Sequence, residues 1–172
     1  MAERRRLPVI QSPPKNEDDG EEDRPPWQWI GFGTVAIFAA WLPLAYLAGA
    51  VVKHAVEPYV GGAVTPEEYA ARYAALAPDV RVRLAAIQWI PHALAFAMAA
   101  FAGGFLVGRF GKGTRPREAA AAGAATAVIA LGIAAGGGIG SIVAGLVMIV
   151  VVALLAIGFA AWGGKVGVAR RK

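Results

Sequence analysis

Four stretches of this chain, each at least 20 residues long, contain no Asp, Glu, Lys or Arg: 30–52, 87–108, 119–138 and 139–164. A bilayer core about 30 Å thick is crossed by about 20 helical residues at about 1.5 Å each. Every run is therefore long enough to span, and the second extends forward to about 85. Backbone in hydrocarbon must satisfy its own hydrogen bonds, so each run is expected to be an α-helix. A transmembrane β-barrel would need short strands alternating apolar and polar positions, and the runs show no such alternation.

Composition points the same way. Hydrophobic residues make up 57% of the 172 and charged residues only 17%, against about 25% charged in soluble domains. A water-soluble domain of this size would expose far more apolar surface than soluble monomers do. The absence of Cys rules out a disulfide scaffold and any Cys-ligated metal or iron–sulfur site.

The third run, 119–138, is the least hydrophobic, being mostly Ala and Gly with Val128, Ile129, Leu131 and Ile133 as its bulky residues. Taken alone it also fits a soluble or interfacial helix. The 17 Lys and Arg decide in favour of a span. With four spans, the N-terminal tail, the 109–118 loop and the C-terminus share one side and carry 13 of them, against four in 53–86. With three spans the division is 9 to 8. The four-span arrangement follows the positive-inside rule and puts both termini in the cytoplasm. The expected fold is all-α: a polytopic four-helix membrane bundle, 28–164, with spans at about 30–52, 85–108, 119–138 and 139–164.

Outside the spans, residues 1–27 read as a disordered acidic cytoplasmic tail. It joins Arg4-Arg5-Arg6 to the run 17–23, where six of seven residues are acidic, and has almost nothing to bury. It lacks the apolar core and cleavage site of a secretory signal. Trp27 and Trp29 mark the water–lipid boundary, as do Trp89 at the outer side and Trp162 at the inner. Residues 165–172 read as a basic cytoplasmic tail. The outer loop, 53–84, holds a capping box, Thr65-Pro66-Glu67-Glu68, which predicts a short amphipathic helix over about 66–76. Its apolar stripe, Tyr69, Tyr73 and Leu76, is expected to lie on the membrane surface or on the tops of the spans. Pro78-Asp79 ends it; Asp79 is placed to cap the second span, with Arg81 and Arg83 snorkelling outward.

The spans hold few chemically capable groups: Thr34, Tyr46, Gln88, His92, Thr126 and Ser141. Ion-coupled transport and intramembrane proton relays need ionisable residues at depth. The two histidines, His54 and His92, with Glu57 would make a poor metal site. Gln88 and His92 lie one turn apart near Pro91, whose ring leaves a carbonyl in the preceding turn without its donor. They are read as satisfying backbone groups or facing head groups, with a polar cluster at the outer mouth as the functional alternative. No Gly-x-Ser-x-Gly elbow or Ser–His–Asp set is present. Gly111-Lys112-Gly113-Thr114 departs from the phosphate-loop pattern and reads as a turn. Gly136 to Gly140 reads as the hairpin between the third and fourth spans. No catalytic, cofactor-binding or metal-ligating residue is assigned.

The positive signal is small-residue spacing. Gly104 and Gly108 form Gly-x-x-x-Gly; Ala120, Ala124, Gly132 and Gly136 are expected to form a small face on the third span, with Ser141 and Gly145 continuing it on the fourth. Such faces allow close backbone approach, within the chain or between copies. Pro43 is expected to kink the first span.

From Thr65 onward the chain resembles small bacterial four-span inner-membrane proteins of uncharacterised function. The resemblance rests on Thr-Pro-Glu-Glu, the Ala-Leu-Ala-Pro break, Phe-Ala-Gly-Gly-Phe-Leu-Val-Gly-Arg at 101–109, Arg-Glu-Ala-Ala-Ala-Ala-Gly at 117–123 and the Trp-Gly-Gly-Lys-Val-Gly-Val-Ala-Arg-Arg-Lys end at 162–172. It implies a bacterial inner-membrane four-helix protein and carries over no site residue. The expectation is a non-enzymatic accessory or structural membrane component, with a small oligomeric permease or channel as the alternative. Its expected partners are the lipid bilayer and a second copy or a larger membrane complex. No cofactor, nucleic acid or small-molecule ligand is expected.

Overall fold

A computed structural model describes residues 25–63, 65–111, 113–136 and 142–171. These form five helices: α1 (Pro26–Val60), α2 (Pro66–Ala75), α3 (Pro78–Phe110), α4 (Pro116–Gly136) and α5 (Ile142–Ala169), with no strand among the described residues. Four of the five open with Pro at their first position. There its fixed φ suits the helix, and the N–H it lacks would have had no partner. The acidic run, the hairpin at 137–140 and Ser141 lie outside the described residues.

The helices outrun the charge-free runs. α1 continues through Lys53, His54 and Glu57 to Val60, and α3 already begins at Pro78. The loop expected over 53–84 is thus reduced to 61–77, which contains α2. Absence of charge measures how much of a helix suits hydrocarbon, while the caps set where it stops. Asp79 is not the cap of α3: Ala77 precedes Pro78, and Asp79 sits in the first turn, 3.7 Å from Arg83. The basic end expected as a tail is helical to Ala169. Pro43 and Pro58 both lie inside α1 without ending it.

Among the described residues, three helical segments are long and apolar enough to cross a membrane: Trp27–Val60, Pro78–Phe110 and Val147–Ala169. α4, with 21 residues, is about 30 Å long. α3 packs along α1 on one side and α5 on the other, and α4 closes against α5 and α1. Gly33 of α1 meets Val107 and Ala122, and Gly164 of α5 meets Ala119. The start of α1, the end of α3, the start of α4 and the end of α5 therefore share one end of the structure. α2 lies at the other.

Residue size is distributed inside out. Ala99, Ala100, Ala119, Ala122, Ala156 and Ala160 are fully buried, while Val35, Leu42, Tyr46, Val128 and Leu154 are more than 60% exposed. Small residues let the backbones touch. A Cβ on Gly104 would collide with the Ala160 carbonyl, one on Gly108 with that of Gly164, and one on Gly163 with that of Phe101. Gly123 of α4 lies in the same way on the Ala156 carbonyl. Dispersion across such seams holds helices together where lipid removes the hydrophobic drive.

The small face of α4 is rotated from the expected one. Ala119, Ala122, Gly123, Thr126 and Ala127 face inward, whereas Val128 is 70% exposed and a Cβ on Gly132 would meet nothing within 4 Å. Thr126 lies fully buried on this face. Its hydroxyl donates to the Ala122 carbonyl at 2.8 Å, and Thr34 of α1 donates to Ile30 at 2.9 Å and reaches the same Ala122 carbonyl at 3.3 Å.

Candidate functional site

Of the polar residues singled out in the sequence, Gln88 and His92 lie where α2 docks onto α1 and α3, whereas Thr34 and Thr126 meet at the Ala122 carbonyl, nearer the other end, and Tyr46 is exposed. Thr65 caps α2, its hydroxyl accepting the Glu68 N–H at 3.2 Å. Such a cap is worth about 1 kcal/mol. The stripe of Tyr69, Tyr73 and Leu76 packs on Val56, Val60 and Leu84, so it covers the protruding ends of α1 and α3. Arg72 donates to the carbonyls of Gly61 and Gly62, which ties down the turn where Gly62 takes a φ of +78°.

Gln88 and Tyr69 join α3 to α2: the Gln88 Nε2 donates to the Tyr69 hydroxyl at 2.6 Å. Tyr73 donates to the Arg81 carbonyl at 2.9 Å. Arg81 does not simply snorkel outward, since its Nε is buried without a partner; Arg83 does lie exposed beside Asp79. His92 Nδ1 lies 3.0 Å from the Gln88 carbonyl. A carbonyl only accepts, so in the neutral ring this contact puts the proton on Nδ1 and leaves Nε2 with a free lone pair.

Directly beneath is a cavity of about 190 Å³ lined by all four long helices. Trp41 comes from α1; Trp89, His92, Ala93 and Phe96 from α3; Ala130 from α4; Met148, Val151, Val152 and Leu155 from α5. Trp41 meets Phe96 edge to face, with ring centroids 6.2 Å apart. Among the described residues of this wall, the His92 imidazole is the one strongly polar side-chain group apart from the indole N–H groups. Hydropathy alone gives no hint of the cavity, because its walls are as apolar as the outer surfaces of the same helices. A second, more open hollow lies under the 61–63 turn, between Lys53 and Glu57 of α1 and Tyr69 and Gln88.

His54 is exposed on α1 and plays no part in either wall. Among the described residues no group of three or more His, Asp or Glu side chains gathers as a metal site would require.

The opposite end holds a polar knot that sequence reasoning missed. Arg171 folds back from the end of α5. Its Nε donates to the Gly108 carbonyl at 2.6 Å, and its Nη2 to the Thr114 carbonyl at 3.0 Å and hydroxyl at 2.6 Å. The Thr114 hydroxyl in turn donates to the Gly111 carbonyl at 2.7 Å. A cation thus sits on the last carbonyls of α3, where the helix dipole favours it. Nearby, Glu118 reaches back from the first turn of α4 to accept the Arg115 N–H at 2.7 Å, and pairs with Arg117 at 2.8 Å. The only advance signal was Thr-Arg-Pro-Arg-Glu itself, whose Glu stands three residues after Arg115.

Burial is the largest influence on the Glu118 carboxyl and pushes its pKa up. It is outweighed by the hydrogen bond from Arg117, the backbone N–H groups of Arg115 and Glu118, and the Arg117 charge. The pKa therefore lies below the ordinary 4.5. A carboxylate with a depressed folded pKa stabilises in full above its ordinary value and loses that contribution as pH falls through the lower folded value. Thermal melts in detergent should show wild type losing stability faster than Glu118→Gln below pH 4.5. Parallel curves for the two would show that the carboxylate contributes nothing.

The helices and their apolar faces define the class: a helical membrane protein. No protein-family model, curated protein or solved structure matches the chain.

Proposed function

We propose that this chain is a non-enzymatic accessory or structural component of a bacterial inner membrane, crossing it four times with both termini in the cytoplasm. The observation that carries the reading is the inside-out distribution, with alanine and glycine in the seams and large aliphatic side chains around the perimeter. Lipid is the solvent that such a surface fits. α4 counts as the fourth span because it packs against α5 and α1 and is itself of spanning length. The shared end of α1, α3, α4 and α5 is then cytoplasmic, the side where Arg109, Arg115, Arg117, Lys165 and Arg170 cluster in sequence. α1 and α3, at 35 and 33 residues, are each over ten residues longer than a bilayer needs. Their surplus stands outside it under α2.

An accessory role is favoured over a reaction because polar side chains within the helices are taken up by structural bonds. Thr34 of α1 reaches the Ala122 carbonyl of α4, Gln88 of α3 bonds to Tyr69 of α2, and Thr126 bonds back within α4. The contact that this reading leaves open is with a second copy or a larger membrane complex.

Reporter fusions test the topology. Residues 70 and 138 should report outside, and both termini inside; an external C-terminus would overturn the four-span reading. Proteoliposomes test the role: solute flux no greater than in empty vesicles is expected. Selective flux would replace the accessory reading with that of a small permease.

A further inference from the structure

We infer that the cavity between the four long helices is a binding site for a membrane-soluble hydroxyaromatic ring, the head-group chemistry of a phenol or quinol. Three properties select the ligand. The first is size: about 190 Å³ exceeds the roughly 150 Å³ of an apolar cavity known to take benzene, so a single aromatic ring fits. The second is the wall, where Trp41, Trp89 and Phe96 offer an aromatic guest edge-to-face contacts that an acyl chain does not use. The third is the imidazole. His92 lines the cavity, and because its Nδ1 meets the Gln88 carbonyl, Nε2 is the acceptor that the neutral ring offers to a guest. A hydrocarbon guest would leave it unmet in an apolar setting, which costs free energy; a guest hydroxyl would donate to it.

The depth of the site agrees with a guest arriving through lipid. Trp41, Phe96, Ala130 and Leu155 each lie 14 or 15 residues, about 21 Å, from the helix ends at the shared end of the structure, and Trp89 lies about 31 Å from it. The cavity thus occupies the layer toward α2, with the exposed Trp89 at its rim. Packing of the helices creates it, so binding in detergent tests it whatever the topology or cellular role.

The test is a titration of the full chain in detergent micelles with 4-bromophenol, reading bromine quenching of tryptophan fluorescence, against 4-bromoanisole, which has the same ring and no donor. Saturable quenching by the phenol is expected, with the anisole about tenfold weaker, the loss of one hydrogen bond in an apolar site. His92→Phe should bring the two probes to equal affinity, and Ala130→Phe should fill the space and remove saturation. The comparison of the two probes on wild type needs no variant to fold. Non-saturating quenching by both would show partition into the micelle alone and overturn the site. Equal saturable affinities on wild type, or a phenol preference that survives His92→Phe, would overturn the assigned chemistry.

Discussion

Gly104→Leu should lower the thermal midpoint of the protein in detergent by roughly 6–12 °C. Overpacking a filled interior costs about 1–3 kcal/mol or more, and each kcal/mol moves the midpoint of a chain this size by about 2–4 °C. The upper part of that range applies because the obstacle is the Ala160 backbone carbonyl and its own carbon atoms. A flexible side chain could swing aside, whereas here a whole helix must move, and α5 is also held by Gly163 on Phe101 and by Gly167 on Phe105. Gly132→Leu and Gly158→Leu are the controls, since a Cβ at either meets nothing within 4 Å. Both should be neutral or slightly stabilising, because Leu is the better helix former by about 0.8 kcal/mol. Ala153 is a poorer control, being partly buried against Phe96, Ala127 and Ala156. Equal midpoints for Gly104→Leu and Gly132→Leu would refute the backbone seam.

Arg171→Ala should cost about 2 kcal/mol, or about 4–8 °C in the same melt. The variant removes three charge-assisted hydrogen bonds and leaves the Gly108 and Thr114 carbonyls to find other donors. Hydrogen exchange should rise at the end of α3 and in the turn leading to α4. Arg171→Lys should recover only part of the loss, since a single ammonium does not reproduce a planar fork that reaches two residues at once. Arg170→Ala is the matched loss of charge at an exposed neighbour and should change little. If both arginine-to-alanine variants melt alike, the effect is general electrostatics and the clasp is not structural.

The two predictions mark a division between what could and could not be read beforehand. Thr65-Pro66-Glu67-Glu68 announces α2 through local chemistry, because a cap involves residues three apart in sequence. Gly104 and Gly108 announce a close approach, because a small-residue pair on a helix suits little else. The partner surface, Ala160, Gly163, Gly164 and Gly167 of α5, was not singled out, and the chosen face of α4 was off by a rotation. A helix apolar on all sides carries no contrast between faces, so periodicity does not say which one turns inward. Gln88 and His92 were recognised as one-turn neighbours, but the bond from Gln88 to Tyr69 joins residues 19 apart. Arg171 meets Gly108 across 63 positions, and no local pattern reports a contact of that span.

The sequence alone determined the solvent and the helical class, though not where each helix ends. Transfer from water to hydrocarbon is close to a sum over residues, and a charge-free run of 20 or more satisfies its own backbone only as a helix. Tertiary structure alone decided how each helix is turned about its axis, which glycines face a neighbouring carbonyl, and where the packing leaves room for a guest. Those outcomes depend on the fit of one backbone against another, a property of pairs of helices that neither sequence holds by itself.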